Sequence, residues 1–191
     1  MTVHEPVRAD EGHQLYRFTE RDYLLLSEHG AFDKYAKTEL IEGVIYAVNA
    51  QFSRHIRVQS RLYRALADAC DVVGGIAAWV EGSLAIDDES TPRPDMFVSS
   101  SLPDEGVVPL ASVLIVVEVA DSSLDQDLGS KAALYARSGL PEYWLADVNG
   151  RVIHRMWSPA TDGFAQRDEI KFGDAITSAT IGGLTVDTYS L

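Results

Sequence analysis

The run VPLASVLIVVEVA, Val108 to Ala120, is almost continuously apolar where a half-wet strand would alternate, and this predicts a central strand covered on both faces. A second rhythm appears in RHIRVQSRLYRALADAC, where Val58, Leu62, Ala65, Leu66 and Ala69 fall on one helical face. That spacing predicts a helix packed on a sheet, with Ser53 as its cap. Thr19-Glu20-Arg21-Asp22 is a capping-box pattern that opens a short helix through Leu24 and Leu25, ending near Gly30. TELIEGVIYAV, Thr38 to Val48, joins strand formers across a Glu42-Gly43 break and predicts a hairpin or a bulged strand.

Residues 72 to 98 hold short strand candidates interrupted at Gly74-Gly75 and Gly82, with DDEST as a loop before PDMFV. DLGSKAALYARSGL is helical in pattern, with Leu128, Ala132 and Tyr135 among its apolar residues and Gly139 as C-terminal cap. Glu142 to Val148 reads as a further strand, turned through Asn149-Gly150 into Arg151 to Trp157. Short apolar segments broken by Gly163, Gly173 and Gly182-Gly183 predict edge strands and turns to the end. The order of elements is that of an α/β protein. Residues 1 to 17 are expected to form a flexible N-terminal arm, and residues 18 to 191 a single domain.

Composition narrows the function more than the fold. With 191 residues and 46% apolar content, the chain can bury a substantial core. Its single cysteine, Cys70, makes no internal disulfide and no thiolate metal site, which points to a core position in a reducing compartment. Charges interrupt the N-terminal segment where a signal peptide needs an apolar stretch, and no run is long enough to cross a bilayer, so a soluble cytoplasmic protein with no membrane partner is expected. Sixteen Lys and Arg against 29 Asp and Glu give a formal charge of -13, which repels polyanions at long range and argues against non-specific coating of DNA.

Against that background, Glu118 stands out as a carboxylate inside the most apolar strand. A buried acid is costly unless a cation or several hydrogen bonds hold it. Asp95 follows Pro94 at the start of another predicted strand; if the two strands are neighbours, both carboxylates meet at one sheet edge and suit a hard divalent ion such as magnesium or manganese. Lys131 lies on the following helix, with Asp127 one turn before it and Tyr135 one turn after. Each residue has a plainer alternative: Glu118 as a structural carboxylate paired to Arg or capping backbone amides, Asp95 as a turn residue, Glu39 as a solvated strand-end residue, Lys131 as an exposed partner of Asp127. Arg54, Arg57, Arg61 and Arg64 form a basic helix stripe that either meets a phosphate backbone or is a solvated face, and His55 is equally open. Tyr143 and Trp144 read as sheet packing. Neither a GxxxxGK[ST] nor a GxGxxG phosphate loop is present, and Ser122 and Ser123 define no catalytic triad.

Taken together, ELIEG at Glu39 to Gly43, RPD at Arg93 to Asp95, VVEVADSS at Val116 to Ser123 and DLGSKAALYARSGLPEYWLAD resemble the Uma2-like family within the PD-(D/E)XK nuclease superfamily, over Phe18 to Val186. The resemblance implies a restriction-endonuclease-like core with a central mixed β-sheet flanked by helices. It implies Asp95 and Glu118 as metal-binding acids, with Glu39 near them, the Val119 carbonyl as a further ligand, and Mg²⁺ or Mn²⁺ as cofactor. The position that completes the usual E-X-K pattern is Ala120, and Lys131 resembles a lysine relocated to the next helix. The activity so implied is metal-dependent hydrolysis of DNA phosphodiesters, with DNA as partner and a homodimer to address both strands. The alternatives are a noncatalytic nucleic-acid-binding descendant of the fold and a protein-interaction domain with a vestigial site.

Overall fold

The computed structural model describes residues 14–48 and 52–191. The first thirteen positions of the expected N-terminal arm lie outside the described residues. Positions 14–17 run without regular secondary structure, and Tyr16 donates a hydrogen bond to Asp22 at 2.8 Å.

Helix α1, Glu20–Glu28, opens at Thr19 through a complete capping box with Asp22, as its four-residue signature predicts. Strands β1, Lys37–Ile41, and β2, Val44–Val48, pair antiparallel. Glu42 and Gly43 both take positive φ, 51° and 73°, which makes the tight turn between them and explains why glycine follows the glutamate there. Helix α2, Ser53–Val73, starts one residue earlier than a Ser53 cap would place it: Phe52 occupies the N-cap, without a side-chain hydrogen bond, and Ser53 is already helical.

Strands β3, Ala77–Val80, β4, Leu84–Ala85, and β5, Met96–Ser99, follow. The long apolar run is then divided. Strand β6, Val108–Pro109, pairs parallel with β4; a single 3₁₀ turn follows at Leu110–Ser112, and the buried strand β7 is Val113–Ala120. The break comes at Pro109, which has no N–H to give a ladder, and Ser112 Oγ donates back to its carbonyl at 2.9 Å. Helical residues Leu124–Gln126, α3, run through a π-helical turn at Asp127–Lys131 into α4, Ala132–Arg137. Strands β8, Glu142–Asp147, β9, Val152–Ala160, and β10, Gly163–Lys171, form a meander, and β11, Ile176–Thr177, pairs with β12, Thr185–Val186.

Six strands form the central sheet in the order β10-β9-β8-β7-β5-β3. Only β7 and β8 are parallel, joined by the helical segment that crosses over one face, so the sheet is mixed. Period-two alternation sorts β7: Ile115, Val117 and Val119 pack with Val58, Leu62, Leu66 and Cys70 of α2, while Val116 and Ala120 pack with Ala132 and Tyr135 on the other face. This is the double covering that the unbroken run demands. It also assigns Glu118, between Val117 and Val119, to the α4 face. Tyr143 and Trp144 are wholly buried in the sheet, and Cys70 is a core residue. Among the described residues, no helix is long and apolar enough to cross a membrane.

Candidate functional site

Strand β5 pairs antiparallel with β7, and the register ends with Met96 opposite Val117. One step further, Asp95 and Glu118 face each other where the ladder has run out, because Pro94 ends the chain's ability to continue it. The two acids take up the backbone donors left there. Asp95 N–H donates to Glu118 Oε2 at 3.2 Å, and Val119 N–H donates to Asp95 Oδ2 at 2.9 Å. The carbonyl of Ala120 accepts from Val148 on the β8 side at 2.9 Å. Alternation therefore turns the carbonyl of Val119 toward the β5 side and the acids.

Basic and acidic side chains close around this pair. Lys131, on the π-helical turn, places its Nζ 3.1 Å from Glu118 Oε1, 3.1 Å from Glu39 Oε1 and 3.7 Å from Asp127 Oδ1. Lys37 lies two residues before Glu39 on β1, hence on the same strand face, with Nζ 3.4 Å from Asp95 Oδ1. His55 Nε2 is 3.1 Å from Asp95 Oδ2. Tyr135 donates to Glu118 Oε1 at 3.5 Å, and Ser123 donates to Asp127. Strand β1 is held over the end of the sheet by Leu40, which exchanges backbone hydrogen bonds with Thr91.

The acids are only 2–4% exposed, so their electrostatics are those of a poorly solvated cluster. Burial pushes Glu118 up to about 7; Lys131 opposes the rise, and the charges of Asp95 and Asp127 add to it. Burial also raises Asp127, more than Lys131 and Ser123 lower it. Asp95 goes the other way: the hydrogen bond from His55, the charge of Lys37 and the Val119 N–H together outweigh its burial and hold it below the usual carboxylate range. Burial works against the charge on Lys131, yet Glu118 and Glu39 more than compensate and hold it well above an ordinary lysine.

Four carboxylates thus face two ammonium groups, a formal surplus of two negative charges before His55 is counted. A divalent cation matches that surplus. Among the described residues, no group of three or more His, Cys, Asp or Glu side chains is arranged to hold a metal ion by itself. Two carboxylates and a backbone carbonyl are the sparse, all-oxygen donor set that magnesium accepts, since it keeps several waters. The residues present fit such an ion.

The cluster forms the floor of a cleft of about 550 Å³ whose walls include Tyr46, Phe52, Asp121 and Gln126. Of the residues singled out by sequence, Asp95, Glu118, Lys131, Glu39, Val119, Asp127 and His55 line this cleft, and Tyr135 touches it from behind through Glu118. The arginine stripe divides. Arg54 reaches the rim, donating to Asp121 at 2.9 Å and to Asn149 at 3.2 Å, whereas Arg61 donates to the Ser190 carbonyl and Arg57 and Arg64 are exposed further along α2. On the plainer alternatives, Glu118 pairs with lysine and not arginine and also accepts the Asp95 N–H, as a carboxylate capping a backbone amide does, while Glu39 and Lys131 are buried and not solvated.

Sequence reasoning missed Lys37 as a cluster member and the contact of His55 with Asp95. Both had a signal. Lys37 and Glu39 share a strand period, and His55 extends the apolar helix face 58, 62, 66, 69 by one turn.

A family model described as "Uma2: Putative restriction endonuclease" matches residues 21–188. Among solved structures, a protein of Anabaena variabilis ATCC 29413, described as "a putative nuclease belonging to DUF820", superposes with a TM-score of 0.65 at 15% identity, covering 91% of this chain and 98% of that one. At that identity the likeness speaks for the fold. No curated protein matches the chain.

Proposed function

The chain belongs to the Uma2 family of restriction-endonuclease-like proteins, and from that premise we propose that it is a metal-dependent endonuclease that hydrolyses DNA phosphodiester bonds. The observation that carries this reading is the interlocked pair Asp95 and Glu118, each bound to the backbone of the other's strand, beside a buried lysine and in a cluster where carboxylates outnumber ammonium groups. Asp95, Glu118 and the Val119 carbonyl would hold Mg²⁺ or Mn²⁺, with Glu39 beside them. When bound, the ion supplies charge neutralisation at the phosphate and a more acidic water. Lys131 keeps its proton throughout, so its ammonium serves as a fixed donor toward a non-bridging phosphate oxygen or toward the attacking water. Glu39 and Asp127 hold that ammonium in place from two sides, and Lys37 and His55 fix the rotamer of Asp95. Lys131, one helix later, takes the place of the lysine absent at Ala120.

The test is cleavage of supercoiled, linear and single-stranded DNA by wild type and by Asp95→Ala, Glu118→Ala and Lys131→Ala proteins, with and without EDTA. Wild type is expected to cleave only with the metal; the acid variants should be inactive, and Lys131→Ala slower by on the order of 10²–10³. Undiminished cleavage by a folded Asp95→Ala protein overturns the reading.

A second reading, a noncatalytic nucleic-acid-binding or protein-interaction domain, draws on one observation: Lys37 and Lys131 already neutralise part of the cluster without any ion. It predicts no change in melting temperature on adding Mn²⁺, where the nuclease reading predicts a rise. A homodimer enters the nuclease reading only for cutting both strands of a duplex, and sedimentation with and without DNA decides it.

A further inference from the structure

Some of the large aromatic rings of this protein belong to its core; Phe97, Tyr135, Tyr143 and Trp144 are at most 1% exposed. Tyr46 and Phe52 are different, at 41% and 70% exposed. Other aromatic side chains are exposed too, among them Tyr16, Tyr35 and Tyr189, but of these only Tyr46 and Phe52 line the cleft that holds Asp95, Glu118 and Lys131.

Their positions follow from register. Tyr46 is the cross-strand partner of Glu39, and directly paired residues project from the same face of a hairpin, so the ring stands beside the carboxylate that holds Lys131. Phe52 is the N-cap of α2, one turn ahead of His55, which touches Asp95. Each ring is therefore one step outward from a member of the acid–lysine cluster. Phe52 occupies an N-cap where a polar side chain is usually found, and its ring is left in solvent. Arg54, two residues on, brings a guanidinium to the same rim.

The floor below the rings is recessed. Asp95, Glu118 and Lys131 are 4%, 3% and 6% exposed. An intact duplex is a stiff cylinder with its bases stacked inside, offering nothing to an aromatic ring and little freedom to lower one phosphate into a pit. An unpaired strand offers both, because its backbone bends and its bases have free π-faces. A cleft of about 550 Å³ is also on the scale of a small-ligand pocket, not of a groove that tracks a double helix.

Resting on the nuclease reading for the identity of the strand, we propose that Tyr46 and Phe52 are a base-stacking mouth, and that the preferred substrate is unpaired DNA, either single-stranded or frayed. The rings hold bases flanking the scissile phosphate while that phosphate sits over Asp95 and Glu118. A site that takes one strand at a time needs no second copy of the chain.

Binding of a fluorescein-labelled single-stranded deoxyoligonucleotide and of its blunt duplex to the full chain, read by fluorescence anisotropy in Ca²⁺ to separate affinity from turnover, tests this. The variants are Tyr46→Ala, Phe52→Ala and Phe52→Trp, all at exposed positions, with cleavage of the same strands in Mg²⁺ measured in parallel. Wild type should bind the single strand more tightly than the duplex, each alanine variant should bind it roughly 5- to 100-fold more weakly, and Phe52→Trp should retain affinity. Duplex bound as tightly as single strand, or alanine variants that bind like wild type, overturns the stacking mouth even if cleavage persists. Single-strand binding that falls in the alanine variants without any cleavage by wild type supports the mouth and removes the nuclease reading instead. Wild type that engages neither DNA overturns the mouth outright.

Discussion

Lys131 is the residue on which the local balance turns. Its ammonium is the shared partner of Glu118, Glu39 and Asp127, all in a space with little water. Breaking a buried ion pair by removing one partner costs about 3–5 kcal/mol, because it strands charge and not because the pair itself is worth that much. In EDTA, Lys131→Ala should therefore melt roughly 10 °C or more below wild type, and Mn²⁺ should restore much of the loss by supplying positive charge to the same carboxylates. Thermal melting with and without the ion checks this; a variant that melts like wild type in EDTA would mean the carboxylates had taken up protons at no cost. Such a residue was only partly legible beforehand. Its spacing from Asp127 was plain, but whether a helix lysine turns inward depends on where the helix docks, which no local pattern encodes.

Elements differ in how much of themselves they carry in sequence. Glu42-Gly43 and Asn149-Gly150 declared their hairpins, and the unbroken β7 declared its double cover, because turn chemistry and period are local properties. The docking of β1 over the sheet end rests on long-range hydrogen bonds between Leu40 and Thr91, and so Lys37 went unseen. The C-terminal hairpin rests on a buried acid of another kind. Glu142, wholly buried at the start of β8, accepts from Trp144 Nε1 at 2.6 Å, from Ser178 Oγ at 2.6 Å, from Thr180 Oγ1 at 2.7 Å and from the N–H groups of Ala179 and Thr180 at about 3.0 Å. No cation is among these partners; neutral donors saturate it, as befits a structural carboxylate. Glu142→Ala should cost at least about 3 kcal/mol by orphaning those donors, and should open residues 174–191 to limited proteolysis before the rest of the chain. Protease resistance equal to wild type would show that the β11–β12 hairpin holds itself.

At the scale of the whole molecule, a charge of -13 sets the terms for any nucleic acid that approaches. Among the described residues, the cations near the cleft are Lys37 and Lys131 at its floor and Arg54 at its rim. Affinity for a single strand should consequently fall only gently with salt, with a log–log slope of about -2 or shallower, since each phosphate neutralised contributes about -0.7. A slope several times steeper would reveal a basic groove elsewhere on the surface, with Arg57 and Arg64 the first positions to mutate. The family and the fold were readable because four separated motifs had to agree at once. What the motifs withheld was the environment: how deep the acids lie, and which side chains stand around them.

The mutual grip of Asp95 and Glu118 on each other's strands has one more consequence, for folding. A slip of β7 by a single position would swing Glu118 round to the α2 side, among Leu62 and Leu66, and carry the acid away from its lysine. Mispaired chains would thus bury a carboxylate without its partners, so the same contact that gathers the acids and the lysine also checks that the sheet has been assembled correctly.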